Sequence, residues 1–249
     1  MLIIALAAKK RRGKDTVATD LEQRHGFHKF ALADPIRDMI LHGIQSCKPN
    51  NRPNVDWADL IGEGEWDRET DTPFSYQQFI EVSAHAIQEV ARLGHDYRDQ
   101  YTDDYSLCRS LAEGTMREHA ISHRDCTIRR LLQFVGTDLV CNKIDRMTWL
   151  DLTWKKIIDS GAERVVITDC RQDHELRWMR QQGVVVVGIE RPEADADEAL
   201  NDTHETEKGL RLIRGVDPII VNAGNDLRRL YEKVDRCVSY IVNEARESA

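Results

Sequence analysis

The chain has 249 residues, 41% hydrophobic and 31% charged, which suits one large domain or two small ones and excludes a disordered tail. Its 35 lysines and arginines stand against 43 aspartates and glutamates, a net charge of −8 that repels phosphate backbones, so stable nucleic-acid binding is not expected. The six cysteines lie far apart with no CxxC pair, and no apolar run reaches the ~20 residues of a membrane span, so reduced thiols in a cytoplasmic protein without a membrane anchor are expected.

The first apolar run, residues 2–7 (LIIALA), is followed rather than preceded by the basic cluster Lys9–Arg12, an order that describes a buried strand and not a secretory signal. A helical pattern over 15–24 leads to a second run at 27–32 (FHKFAL). Further strands are expected at 164–168 (RVVIT), 184–189 (VVVVGI) and 218–222 (PIIVN), with helices at 127–140, 148–160, 174–182 and 226–247. Strands alternating with helices predict an α/β fold, a parallel sheet joined by right-handed crossovers. About 130 residues separate the second strand from the third, more than a crossover helix needs, so an insertion is expected over about 46–126. Its first part, 47–73, carries Pro49, Pro53, Gly62 and Gly64 and reads as loops and short turns; 75–125 reads as mostly helical. The core of a single domain is then about 1–45 and 127–249. The acidic stretch Glu190–Glu207, in company with His204, falls in a surface segment over about 190–214, expected to serve as a lid.

The strongest local pattern follows the first strand. Ala8 to Thr16 (AKKRRGKDT) approximates GxxxxGK[ST], a loop that wraps polyphosphate in backbone N–H groups, aims the positive end of the next helix at it, and brings a lysine to the β- and γ-phosphates. Gly13 allows close approach and Lys14 supplies charge. Ala8 replaces the first glycine, and Asp15 stands where a Ser or Thr usually meets Mg²⁺, with Thr16 one residue later; an aspartate can hold that hard cation directly or through water. Farther on, TIRRLLQFVGTD (127–138) puts Arg129, Gln133, Gly136 and Thr137 on adjoining helix faces, a stripe suited to a phosphate at one end and a sugar or base at the other, or an ordinary solvated face. The third strand ends in TDCRQ, which places Asp169 and Arg171 at the carboxyl edge where open α/β sheets bind ligands, with Glu175 one turn behind; alternatively Asp169 caps the next helix. His119, His123 and Cys126 lack a firm fourth ligand for zinc.

Together, KKRRGKDT (9–16), LADPIRD (32–38), DRET (67–70), the segment 129–149, DCRQDHE (169–175) and NDTHETE (201–207) resemble the deoxynucleoside monophosphate kinases of large tailed bacteriophages, over most of the chain outside about 75–125. The resemblance implies a P-loop nucleoside monophosphate kinase-like fold with a five-stranded parallel sheet flanked by helices, ATP and Mg²⁺ dependence, deoxynucleoside monophosphate (dNMP) substrates and a homodimer, in the host cytoplasm if phage-encoded. It implies that Gly13 to Thr16, with Arg11 and Arg12, take the ATP phosphates. Arg37, Arg68, Gln133, Gly136, Thr137, Trp149, Asp169 and Glu175 bind the acceptor nucleotide, and Arg129, Arg130 and Arg171 act with Lys14 in transfer. Competing readings are a phosphomevalonate-type kinase, whose loop also looks like KxxxGKD, a nucleotide-binding module without turnover, and a basic turn with no nucleotide affinity.

Overall fold

The five apolar runs become five strands: β1 (Leu2–Ala7), β2 (His28–Phe30), β3 (Arg164–Cys170), β4 (Val185–Glu190) and β5 (Ile219–Val221). They pair in the order β2-β3-β1-β4-β5, all parallel. β1 is central and buried on both faces, with Ile4 to Ala7 no more than 1% exposed, which is why it reads as continuous apolar sequence rather than as an alternation. The computed structural model describes residues 1–8, 12–93, 103–170, 172–192, 217–224 and 226–247. Arg11, Arg171, His204 and all but 190–192 of the segment expected to be a lid lie outside the described residues.

The helices are α1 (Lys14–His25), α2 (Ala33–Ser46), α3 (Trp57–Ile61), α4 (Tyr76–Leu93), α5 (Tyr105–Glu118), α6 (Ile128–Gln133), α7 (Thr148–Ser160), α8 (Asp173–Gln181) and α9 (Leu227–Glu247). α2 had no counterpart among the elements read from the sequence. The stretch 47–73 is made of turns, one 3₁₀ turn at Pro49–Asn51 and the short α3, and 75–125 is mainly α4 and α5.

The single helix expected at 127–140 divides. α6 ends at Gln133 and the chain continues as a π-helical segment from Phe134 to Ile144. Within it the Gly136 carbonyl accepts the indole N–H of Trp149 at 2.8 Å, a partner from outside the segment.

The described residues divide into two compact units, 1–32 with 153–249, and 33–152. Each has its own core. In the sheet unit, Ile4, Leu6 and Val166 of the strands pack with Val17 and Leu21 of α1 and Leu230, Val234, Val238 and Ile241 of α9. In the helical unit, Ile40 of α2, Phe79 and Ile87 of α4, Met116 of α5 and Leu131, Phe134 and Leu139 form one cluster. α2 and the stretch from 127 to 152 contribute Met39, Ile40, Leu131, Phe134 and Leu139 to this cluster.

Candidate active site

The phosphate loop runs from the end of β1 into α1. Gly13 is the N-cap of α1, with φ +86° and ψ +19°, a left-handed conformation that only glycine adopts without strain. The first bond of the helix, Val17 N–H to the Gly13 carbonyl at 3.1 Å, leaves the amides of Lys14, Asp15 and Thr16 without acceptors inside the helix, as an anion site requires. Lys14 is 13% exposed and its ammonium lies 3.0 Å from the carboxylate of Asp15, which is 93% exposed. Asp15 and the hydroxyl of Thr16 are hard oxygen donors on the first turn, chemistry that fits Mg²⁺.

Two more groups of the sheet unit belong to this edge. The Leu32 amide donates to Asp169 Oδ1 at 2.6 Å, fixing that carboxylate at the end of β3, beside a register slip in the β1–β3 pairing between Ala5 and Ala7. Glu175 accepts the Gln172 amide at 2.8 Å and so closes the N-terminus of α8. Between them the Cys170 thiol is fully enclosed, and burial pushes its pKa well above the usual thiol value.

The helical unit holds the arginines. Thr127 caps α6 by accepting the Arg130 amide at 3.1 Å. The Arg129 amide donates to the Arg68 carbonyl at 2.9 Å, and its guanidinium pairs with Glu69 at 3.1 Å, so the DRET turn and the start of α6 are joined. Arg68 itself turns inward: its guanidinium donates to the Leu60 carbonyl at 3.1 Å and lies over Gly62, where a Cβ would come within 2.8 Å of Nε. Arg130 pairs with the buried carboxylate of Asp138 at 2.7 Å and lies over the Phe134 ring at 5.9 Å. Arg129 and Arg130 are only 19% and 20% exposed, each held against a carboxylate.

Arg37, at 18% exposure, pairs with Asp34 at 2.5 Å within α2. Gln133 is half-buried and Thr137 buried. Gly136 is close-packed: a Cβ there would approach Ile36 Cδ1 to 2.9 Å. Trp149 is 5% exposed, belongs to the core cluster of this unit and has its N–H committed to the Gly136 carbonyl. Cys126 is buried, with its thiol pKa pushed up to about 11 by burial, and His123 packs against Tyr76 with ring centroids 4.9 Å apart and planes tilted by 51°.

Sequence reasoning missed Asn222, Asp138 and Glu69. Asn222, at the end of β5, donates from its side-chain amide to the Arg12 carbonyl at 3.0 Å. The only sequence signal for it was a polar residue ending the last strand. Asp138 lies eight residues past Arg130, a spacing that no regular helix rule pairs.

An all-parallel sheet whose central strand opens through a left-handed glycine and a lysine into a helix defines a P-loop phosphotransferase. The family model for deoxynucleotide monophosphate kinase matches residues 2–234, and the chain belongs to that family. It is 31% identical over 249 aligned residues to the deoxynucleotide monophosphate kinase of Enterobacteria phage T4, covering 94% of this chain and 97% of that protein. It is likewise 31% identical over 251 residues to the enzyme of that name from Escherichia phage RB69, covering 95% and 99%. A putative deoxynucleotide monophosphate kinase of Acanthamoeba polyphaga mimivirus is 30% identical over 128 residues, 45% of this chain and 62% of the relative. No helix among the described residues is long and apolar enough to cross a membrane.

Proposed function

We infer that the chain transfers the terminal phosphoryl group of ATP to the 5′-phosphate of deoxynucleoside monophosphates. The observation that carries this reading is the Gly13–Lys14 turn opening α1 in a chain of this family. The acceptor phosphate is already ionised, so no general base is needed, and catalysis is a matter of position and charge. Lys14 and the first-turn amides of α1, with Arg11 and Arg12, take the donor phosphates. Arg129, Arg130 and Arg171 neutralise the acceptor phosphate and the charge that spreads over the transferring group. Arg37, Arg68, Gln133, Gly136 and Thr137 hold the acceptor nucleotide, Trp149 supports Gly136, Asp169 accepts a substrate hydroxyl, and Glu175 lines the same acceptor site. Mg²⁺ bound with ATP would be met by Asp15 and Thr16 and would add positive charge at the β- and γ-phosphates.

The test is an ADP-release assay over a panel of acceptors. At least one dNMP yields ADP and the deoxynucleoside diphosphate in equal amounts, EDTA abolishes the reaction, and phosphomevalonate yields none. ATP binding without ADP from any acceptor would make the chain a binding module instead. By the same resemblance the enzyme is a homodimer of the host cytoplasm, and the net charge of −8 argues against stable nucleic-acid binding; light scattering at the mass of one chain removes the dimer.

A further inference from the structure

An anion-binding loop works only if its carbonyls are turned away from the ligand while its amides face it, and each carbonyl turned away needs a donor of its own. At the last turn of the phosphate loop that donor is a side chain from the far end of the sheet unit's sequence. Asn222 follows β5. Its backbone amide donates to the Glu190 carbonyl at 2.7 Å, continuing the β4–β5 pairing, and its side-chain Nδ2 donates to the Arg12 carbonyl at 3.0 Å. The same Nδ2 fills the space beside Gly13, where a Cβ would sit 2.4 Å from it. The strand end that carries Asn222 is itself anchored, because Lys233 of α9 donates to the Val221 carbonyl at 2.5 Å.

We propose that Asn222 is a positioning residue for the donor nucleotide: it fixes the Arg12 carbonyl, and with it the peptide that precedes Gly13, so that the amides entering α1 are set for the ATP phosphates before ATP arrives. The proposal rests on the phosphate-loop reading above. It also explains why position 13 is doubly restricted, by its left-handed backbone and by the amide packed against it. An alanine at 222 removes the donor, and an aspartate of nearly the same shape replaces it with an acceptor facing a carbonyl, so the two substitutions separate loss of contact from reversal of polarity.

The experiment measures ATP affinity by calorimetry on the full chain, together with KM for the dNMP, kcat and Tm. N222A weakens ATP binding by roughly tenfold and N222D by more, while KM for the dNMP stays within about twofold. K14A is the control arm. If K14A binds ATP like the wild type, the phosphate-loop reading itself fails; if K14A loses ATP but folded N222A and N222D bind it within twofold of wild type, the loop stands and the role of Asn222 is overturned. A fall in Tm with proportionate loss of kcat and no selective change in ATP affinity makes Asn222 merely structural and equally overturns the proposal. Should neither variant fold, the wild-type protein carries the test: the Asn222 side-chain NH₂ and Gly13 amide resonances shift together on adding ATP, and an Asn222 signal that does not move overturns it.

Discussion

Arg130 is held in place by the protein itself, and the chemistry rewards that arrangement. Asp138, with 6% of its side chain exposed, fixes its guanidinium at 2.7 Å while the Phe134 ring supports it from one side. Cations set before the reaction lower the barrier because no side chain must reorganise as charge spreads. Arg130→Ala therefore lowers kcat by about 10²–10³-fold, and Arg130→Lys recovers only part of it, since an ammonium keeps the charge but loses the fork. Asp138→Asn, which keeps an acceptor but not the charge, lowers kcat less, by about tenfold, with KM for ATP unchanged. Steady-state kinetics on the three variants decides: an unaltered kcat in Arg130→Ala takes the residue out of the transfer step. What the sequence shows at this scale is what local order encodes. Gly13, Lys14, Arg129 and Arg130 stand in recognisable patterns, because a loop that opens a helix and a stripe on a helix face are written in consecutive residues. Asn222 and Arg12 are 210 positions apart, and no spacing rule joins them.

α1 is gripped at both ends, and the two grips have different physical characters. Its first turn opens at the left-handed Gly13, where the donor phosphates are proposed to bind; its last turn is clamped to α9, where Arg24 reaches Asp20 at 3.1 Å and both oxygens of Asp235 at 2.6 Å, and His25 meets Asp235 at 2.9 Å. The Arg24 hydrogen bonds hold the Asp235 carboxyl below its ordinary value of 3.8, whereas burial pushes Asp20 above it. The signs are opposite. Asp235 contributes stability that is present above 3.8 and is lost as pH falls through its lowered folded value; Asp20 carries a penalty when ionised that acid relieves. Asp235 is 40% exposed, so Asp235→Asn lowers Tm by only about 1–3 °C at pH 7. Calorimetry over a pH series shows that gap closing below 3.8, and a gap that persists there refutes the charge account. At the scale of elements the sequence was informative where apolar runs are buried: β1, β3, β4 and α7 to α9 fall where their apolar patterns lie, while β2, with His28 and Lys29 exposed, rests on its pairing with β3. The π-helical segment Phe134–Ile144 was not legible, because its apolar pattern does not differ from that of an α-helix and the Gly136 carbonyl's partner, Trp149, lies thirteen residues on.

The whole molecule has two cores. The loop proposed to take the donor phosphates is built on the sheet unit, where β1 and α1 share the cluster around Ile4, Leu6 and Val17, and the arginines at 68, 129 and 130, proposed for the acceptor, are built on the helical unit, whose core includes Phe79 and Phe134. A ligand that binds a folded unit and not its opened form suppresses local opening where it binds, so each nucleotide slows hydrogen exchange around the residues proposed to hold it. A non-hydrolysable ATP analogue added alone slows exchange in 12–25, the amides that enter and form α1. A dNMP added alone slows it in 60–70 and 127–138, the DRET turn and the start of α6, which the Arg129 amide already ties together at 2.9 Å. The distribution of protection, more than its size, carries the argument, because it follows from which residues each core holds rigid. Protection by dNMP confined to 1–32 and 153–249, with 33–152 unchanged, would mean that the arginine stripe does not hold the acceptor. The pairs Arg130–Asp138 and Arg129–Glu69 would then be ties within the helical unit alone.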